Sequence, residues 1–332
     1  MTLYSAYLTR LMILPTTILV LLAIAEENID EIANFILQWK IILLAFQCTL
    51  WVVLFLIGRV ELGAVYEVSR YRMNIGFNYP TMFADYVLDI TILLLFCKRN
   101  NLRKRELIVA FSLTMVAFFL TNARAVLVWS VLLIIIFGVA QKTQIVDKPL
   151  SVATRMIVPI LTIFMWIAIH LYSIGNKWGY RFDSLLNSRV RLNGYLSDMY
   201  GISFFGQRIH SYSGDISYRW LSRGGTFDCT YIWLMVEWGC IWLILLFIAF
   251  YKIGKLHNKY YNVLLVIWAL NAMTDTSFMN GISSFPILLF SMCLSNDYCS
   301  RKRKGNDSLL YNAGYSANWI DGKYIGDMQD GR

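Results

Sequence analysis

The sequence predicts an all-α fold, a polytopic transmembrane bundle of about nine or ten helices with one large external loop. Three observations predict it: 58% of the 332 residues are hydrophobic, only 15% are charged, and apolar runs recur along the chain between short charged breaks. A helix that crosses about 30 Å of hydrocarbon needs roughly 20 apolar residues, and these runs approach that length. A transmembrane barrel would instead need period-two alternation of apolar and polar residues.

Nine apolar segments mark the expected helices. They are Leu11–Ala25, Ile41–Gly58, Thr81–Cys97, Leu107–Leu120, Ala125–Ala140, Met156–Ile174, Cys229–Tyr251, Tyr261–Met273 and Ile282–Ser295. Residues 1–300 are therefore assigned to the transmembrane domain, with an external loop over about 175–228. The basic and polar stretch 301–332 is assigned to a cytoplasmic tail.

Lysine and arginine predict the orientation, because short cytoplasmic loops are enriched in both residues. Four clusters lie between or after the segments: Lys98, Arg99, Arg103, Lys104 and Arg105; Lys142, Lys148 and Arg155; Lys252, Lys255 and Lys259; and Arg301 to Lys304. All four are predicted to be cytoplasmic. This assignment puts the N-terminus outside, so that one helix is miscounted or missing. Residues Glu31–Lys40 are a candidate for part of an extra crossing, and the parity stays open.

The external loop is basic on the side of the membrane where that rule disfavours Lys and Arg. Its cations are Lys177, Arg181, Arg189, Arg191, Arg208, Arg219 and Arg223, and its acids are Asp183, Asp198, Asp215 and Asp228. Arginine pairs bidentately with phosphate, so the loop suits a pyrophosphate. The alternative is a solvated loop with scattered salt bridges.

An amphipathic helix is expected within Leu185–Tyr200, lying in the membrane interface. Its polar face would hold Arg191, Tyr195 and Asp198, and its apolar face Leu192, Leu196 and Met199.

Carboxylates at membrane depth are costly and need partners. Asp85 and Asp89 are spaced i, i+4, so both project from one face of the third segment, and Arg124 is the nearest candidate partner by depth. A structural ion pair and a catalytic role remain open for this pair. The same two interpretations apply to Glu237 and Asp275.

Cofactor motifs are missing from the sequence: no HExxH, Walker A, GxGxxG or Cys/His cluster occurs. We therefore expect no nucleotide, metal or redox cofactor, although acidic residues alone could hold a divalent ion. The net charge of +9 is explained by the lysines and arginines of the predicted cytoplasmic loops. Nucleic acid is therefore not an expected partner.

Four local patterns, in this order, resemble the Wzy-type polysaccharide polymerases, which are related to the O-antigen ligases. They are Gly76-Phe77-Asn78-Tyr79-Pro80; Thr121-Asn122-Ala123-Arg124; Ser188-Arg189 with Phe204-Phe205-Gly206, Asp228, Tyr231 and Trp238-Gly239; and Thr274-Asp275-Thr276-Ser277-Phe278. A ligase would be expected to carry histidine near Asp228, so the resemblance favours a polymerase. The family commonly has ten or more helices and an internal N-terminus, from which this chain departs.

The resemblance implies a GT-C-like membrane glycosyltransferase at the outer face of the bacterial cytoplasmic membrane. It would join oligosaccharide repeat units carried on undecaprenyl pyrophosphate into O-antigen or capsule. Its partners would be the lipid-linked donor and acceptor, membrane lipid and, as a candidate, a chain-length regulator protein. Alternative interpretations are ligase-like glycan transfer, or a transporter of a lipid-linked or anionic solute that uses Asp85 and Asp89.

The implied chemistry assigns roles to specific residues. A departing pyrophosphate needs fixed positive charge, and the acceptor hydroxyl needs a base. The candidate catalytic residues are Arg124, Arg189, Arg191, Asp228 and Asp275, the last two as alternative bases. The candidate substrate-binding residues are Arg181, Arg208, His210, Asn78 and Tyr195.

Overall fold

The structure is a computed structural model that describes residues 29–60, 64–67, 70–77, 80–143, 147–186, 188–207, 229–274, 286 and 288–291, with backbone alone for 64–67, 70 and 71. Its two strands form an antiparallel hairpin, β1 (Ala64–Glu67) and β2 (Arg70–Arg72). The helices are α1 (Ile29–Leu56), α2 (Pro80–Lys98), α3 (Lys104–Thr121), α4 (Arg124–Lys142), α5 (Asp147–Ser173), α6 (Lys177–Leu185), α7 (Arg189–Tyr200), α8 (Thr230–Trp233), α9 (Cys240–Gly254) and α10 (Lys259–Ala272).

The predicted apolar segments from Ile41–Gly58 to Tyr261–Met273 each correspond to described helix. Helix α1 begins twelve residues before its predicted segment and continues unbroken to Leu56. Residues Glu31–Lys40 therefore belong to the same crossing, and the idea that they supply an extra one is wrong. The segment Leu11–Ala25 lies outside the described residues, as does most of Ile282–Ser295.

Four of the described helices are long and apolar enough to cross a membrane, namely α1, α2, α4 and α5. Helix α9 is apolar but has only 15 residues. The described part of the chain thus indicates a helical membrane protein, with fewer spanning helices than the nine or ten predicted. Large apolar side chains on α1 face outward, including Phe46, which is 65% exposed, as expected for a surface in contact with lipid.

Most of the basic clusters lie at one end of the bundle, which we call the basic end. Four contacts between helix ends define it: Asp30 with Arg99 at 2.7 Å, Gln141 Nε2 to Leu102 O at 2.9 Å, Lys259 Nζ to Thr143 O at 3.2 Å, and Ser151 Oγ to Gly254 O at 2.7 Å. The starts of α1, α5 and α10 thereby meet the ends of α2, α4 and α9. The three described clusters that were predicted to share one side of the membrane come together at this end, and Arg301–Lys304 and the predicted tail 301–332 lie outside the described residues.

The opposite end, which we call the distal end, holds the starts of α2 and α4 and the ends of α1, α3, α5 and α10. Backbone N–H of Met73 donates to Leu120 O at 3.0 Å, and Gln47 Nε2 donates to Gly76 O at 2.7 Å. These contacts fix the β-hairpin connection against α1 and α3. The described residues of the predicted family motifs lie at this end.

Candidate functional site at the distal end

A short helical hairpin, α6 followed by α7, packs against the distal end of α5. Asn176 caps α6, its Oδ1 accepting from Trp178 N–H at 2.9 Å. The chain then folds back along α5, where Phe182 packs edge-on to Phe164 with ring centroids 5.3 Å apart. Gly179 permits the approach, since a Cβ there would lie 2.3 Å from the backbone nitrogen of Tyr172.

Asp183 joins the two helices of this hairpin. Its carboxylate Oδ1 accepts from Arg191 N–H at 2.8 Å, and its backbone oxygen accepts from Ser188 N–H at 2.7 Å. The backbone N–H of Arg191 in the first turn of α7 is therefore already satisfied by a buried carboxylate, as at a helix N-cap.

Helix α7 lies within the predicted range, but the predicted apolar face is not the buried one. Its buried residues are Val190, Asn193, Gly194, Leu196 and Ser197, so of the three residues assigned to the apolar face only Leu196 is buried. Leu196 is 1% exposed, and Gly194 packs on Ile169 of α5, whereas Arg191 and Asp198 are exposed. Met199 departs from the prediction, because it is 42% exposed although it was assigned to the apolar face.

The predicted arginines differ in their surroundings. Arg189 is half-buried at the start of α7, and Arg191, two residues further along, is exposed. Arg181 on α6 is exposed and lies over the ring of Trp178, 4.8 Å from its centroid. Tyr195 is half-buried on α7. These four residues lie on the same hairpin.

Arg124 is exposed at the first position of α4, where the chain turns through Asn122 in a left-handed conformation with φ 50°. It does not pair with Asp85 or Asp89, and that expectation is wrong. Lys40 of α1 occupies the position instead: its Nζ lies 2.6 Å from Asp89 Oδ2, and its side chain is 7% exposed. Arg124 makes no ion pair with any described residue.

The sequence analysis does not identify Lys40 as a partner, because it assigns Glu31–Lys40 to part of a possible extra crossing. The continuous helix α1 brings it alongside α2, where its Nζ also lies 4.7 Å from the ring centroid of Tyr86. A lysine twelve residues into a 28-residue apolar helix is the signal that identifies it. Asp89 is therefore held in a structural ion pair between α1 and α2.

Asp85 belongs to a second polar contact, at the end of α10. Asn271 Nδ2 donates to Asp85 Oδ1 at 3.0 Å, and both residues are buried, at 3% and 5% exposure. Thr274 hydroxyl donates to Asn271 O at 3.1 Å. The described part of the Thr274-Asp275 motif is thereby joined to α2.

Two candidate bases adjoin this region in the sequence. Asp228 precedes Cys229, and Asp275 follows Thr274, and both of these described neighbours are buried. Helices α8 and α10 are tied close to these points, because Tyr231 hydroxyl donates to Ala269 O at 2.6 Å. Asp228 and Asp275 themselves lie outside the described residues, as do Asn78, Arg208 and His210.

The predicted apolar segment Cys229–Tyr251 is interrupted. Helix α8 passes into a π-helical turn at Leu234–Trp238, and Gly239 ends the turn with φ 100° before α9 begins. Within the turn Trp233 Nε1 donates to Glu237 Oε2 at 2.6 Å, which gives Glu237 a structural partner. Such π-turns occur frequently at functional sites.

Residues 203–207 fill the interruption. Four backbone hydrogen bonds hold them: Ser203 N–H to Met235 O at 3.0 Å, Gln207 N–H to Glu237 O at 3.0 Å, Cys240 N–H to Ser203 O at 2.9 Å, and Ile241 N–H to Phe204 O at 3.3 Å. Gly206 and Gly239 allow the two backbone segments to approach closely. A Cβ on Gly206 would lie 2.7 Å from Trp238 O, and a Cβ on Gly239 would lie 2.4 Å from Phe204 O. Two separated pieces of the third family-like motif thus meet.

No known protein family matches this chain, and neither characterised proteins nor solved structures give a match. The resemblance carried by the four motifs therefore stays a prediction. Within the described ranges no group of three or more His, Cys, Asp or Glu side chains is arranged to hold a metal ion. The expectation that no cofactor is needed also stays a prediction.

The distal end combines guanidinium groups with buried carboxyl and amide groups. Arg124, Arg181 and Arg191 are exposed and Arg189 is half-buried, and a guanidinium pairs bidentately with phosphate oxygens. Exposed aromatic side chains accompany them, including Trp178 at 57% and Phe205 at 80% exposure. This combination suits a ligand with a phosphate group and an apolar portion.

Proposed function

We propose that this chain is a lipid-linked glycosyltransferase that polymerises oligosaccharide repeat units on undecaprenyl pyrophosphate into O-antigen or capsule. In this proposal the fold is a GT-C-like bundle with nine or ten crossings in the bacterial cytoplasmic membrane. The basic end is cytoplasmic, and the distal end faces outward. The donor and acceptor are both lipid-linked oligosaccharides, and a chain-length regulator is a further partner.

The single observation that carries the proposal is the separation of two sets of cations. Lysines and arginines at the basic end follow the positive-inside rule, whereas Arg124, Arg181, Arg189 and Arg191 lie at the other end of the bundle. Cations on an outward-facing surface are disfavoured by that rule and so need a ligand or a partner. A pyrophosphate supplies the required negative charge.

The proposed reaction transfers the growing glycan from its lipid carrier to a hydroxyl of the acceptor sugar. The anomeric carbon–oxygen bond to pyrophosphate breaks, the new glycosidic bond forms, and the hydroxyl proton passes to a base. Arg124, Arg189 and Arg191 stabilise the charge that develops on the leaving pyrophosphate. Asp228 or Asp275 accepts the proton, and Arg181, Arg208, His210, Asn78 and Tyr195 bind substrate.

The interrupted helix favours a second candidate, a transporter of a lipid-linked or anionic solute. Discontinuous helices are common at transporter binding sites. The carboxylates expected to couple such transport are engaged, however, since Asp89 pairs with Lys40 and Asp85 accepts from Asn271. Turnover of donor and acceptor lipids by the purified protein without any ion gradient distinguishes the enzyme from the transporter.

The proposal is tested in a bacterium deleted for this gene. Loss of long surface polysaccharide, with single repeat units retained and long chains restored by the wild-type gene, is the expected result. Unchanged polysaccharide lengths in the deletion strain would contradict it.

A further inference from the structure

Arg155 on α5 is a half-buried cation at the basic end with no carboxylate partner among the described residues. Its Nη2 donates to Ser151 Oγ at 2.9 Å and lies 3.3 Å from His257 Nε2. Its Nε is buried and makes no hydrogen bond within the described ranges. A guanidinium that is held this closely carries a full charge that these neutral contacts do not balance.

The position of this guanidinium is fixed by the packing of α5 against α9. Ser151 Oγ donates to Gly254 O at 2.7 Å, and a Cβ on Gly254 would lie 2.7 Å from Arg155 Cγ. His257 then turns back toward Arg155 with a left-handed φ of 51°, a sparsely populated conformation for a residue other than glycine. The arginine head group is therefore built into the interhelical junction and does not move freely in solvent.

Two other arginines at the basic end have acidic partners, which Arg155 lacks among the described residues. Arg99 pairs with Asp30 at 2.7 Å, and Arg105 lies 3.7 Å from Glu106. The neighbours of Arg155 in the fold add positive charge, because Lys148 lies two turns before it on α5 and Lys255 follows Gly254. The junction as a whole has an excess of positive charge.

Apolar surface adjoins the junction on both helices. Val152 and Met156 of α5 are 57% and 44% exposed, and Ile248 of α9 and Leu256 after it are 43% and 40% exposed. Lipid chains can cover such side chains while a head group lies at the end of the helices. A soluble anion would leave this surface uncovered.

We propose that the Arg155–His257 junction, with Lys148 and Lys255 around it, binds the phosphate of an anionic phospholipid. The phosphate oxygens accept hydrogen bonds from the guanidinium, and the acyl chains lie along the exposed apolar side chains of α5 and α9. Basic junctions between helices on the cytoplasmic side are suited to such head groups. This site is at the opposite end of the bundle from the proposed glycosyltransferase site, and the proposal does not depend on that activity.

Thermal unfolding of the full-length protein in detergent tests the proposal, with phosphatidylglycerol and phosphatidylcholine as added lipids. Phosphatidylglycerol is expected to raise the Tm of the wild type more than phosphatidylcholine does, because a ligand that binds only the folded state stabilises it. Arg155→Gln is expected to lose most of that difference. Lys104→Gln removes an exposed cation from the same end and is expected to keep it.

His257→Gln provides an independent variant, because the His257 side chain is exposed and its loss does not disturb the core. It is expected to reduce the phosphatidylglycerol-specific rise in Tm. If Arg155→Gln does not fold, the response of His257→Gln alone tests the proposal. The proposal is overturned if both variants keep the wild-type difference, or if the wild type responds equally to the two lipids. Equal stabilisation by inorganic phosphate alone would overturn the assignment to a lipid.

Discussion

Asn271 donates a hydrogen bond from Nδ2 to Oδ1 of Asp85 at 3.0 Å, and this contact joins α10 to α2 where both are buried. Asn271, whose backbone oxygen accepts from the Thr274 hydroxyl, thereby lies beside a carboxylate 186 residues earlier in the chain. The hydrogen bond between Asn271 and Asp85 therefore both stabilises the packing of α10 on α2 and positions the end of α10 at the distal end.

Asn271→Leu is expected to lower the free energy of unfolding by about 1.5–3 kcal/mol, because a buried carboxylate loses a hydrogen-bond donor. Thermal or denaturant unfolding in detergent measures the change. Met273→Leu, a substitution of similar size near the same end of α10, serves as the control and should cost less than about 1.5 kcal/mol. Equal stability of Asn271→Leu and wild type would contradict the importance of the contact.

The ion pair between Lys40 and Asp89 makes a second prediction. Lys40→Met and Asp89→Leu should each destabilise the protein by about 3–5 kcal/mol, because each leaves one charge buried without its partner. The double variant should recover most of that loss, since no buried charge remains. Unfolding of the four proteins forms a double-mutant cycle, and additive losses in the double variant would contradict the pairing.

The carboxylates Asp85 and Asp89 show how much of the site could be predicted from the sequence. Spacing alone indicates that Asp85 and Asp89 share a helix face and need partners, and hydropathy locates α2 within about a residue of its observed ends. The partners, Lys40 and Asn271, depend on which helices become neighbours, and periodicity within one helix does not determine that. Arg124 was predicted as the partner from its depth in the membrane alone. Depth does not determine which side of α2 a residue on another helix will face.

The interruption between α8 and α9 was likewise beyond the sequence. The run Cys229–Tyr251 is apolar apart from Thr230 and Glu237, and the local sign of a break is Gly239, two residues after that carboxylate. The break is stable because residues 203–207 supply hydrogen bonds to the freed backbone groups, and those residues lie some thirty positions earlier. The existence of helix α7, by contrast, is predictable from local sequence, whereas its buried face is not, because that face is determined by the contact with α5.

The two glycines at this contact give a third prediction. Gly239→Ala and Gly206→Ala should each destabilise the protein strongly, because a Cβ would collide with backbone atoms at 2.4 Å and 2.7 Å and because φ is 100° and 98°. Gly201→Ala is the matched control, with φ 70° and no atom within 4 Å of the added Cβ. It should cost only the backbone strain of a conformation with φ 70° and ψ 176°, about 1–3 kcal/mol. Unfolding temperatures of the three variants provide the comparison, and equal losses would contradict the predicted clash.

Glu106 predicts a dependence of stability on pH. Hydrogen bonds from its own backbone N–H and from Arg103 N–H, the latter at 2.8 Å, lower the pKa of this carboxyl group in the folded protein. A lowered folded pKa means that the stabilisation is present above the unfolded pKa, about 4.3, and is lost as pH falls through the folded value. Glu106→Gln should therefore flatten the fall of Tm below about pH 4.3. An unchanged dependence of Tm on pH in that variant would contradict the stabilising role of these hydrogen bonds at the start of α3.

The most direct test of the central claim is the length distribution of surface polysaccharide made by a deletion strain that expresses Arg189→Ala or Arg124→Ala at wild-type protein levels. We expect a loss of long chains with single repeat units retained, since the leaving pyrophosphate loses fixed positive charge. Arg105→Ala, which removes an exposed arginine from the basic end, should restore long chains like the wild type. Normal long chains in both distal variants would contradict the assignment of these arginines and the polymerase mechanism built on them.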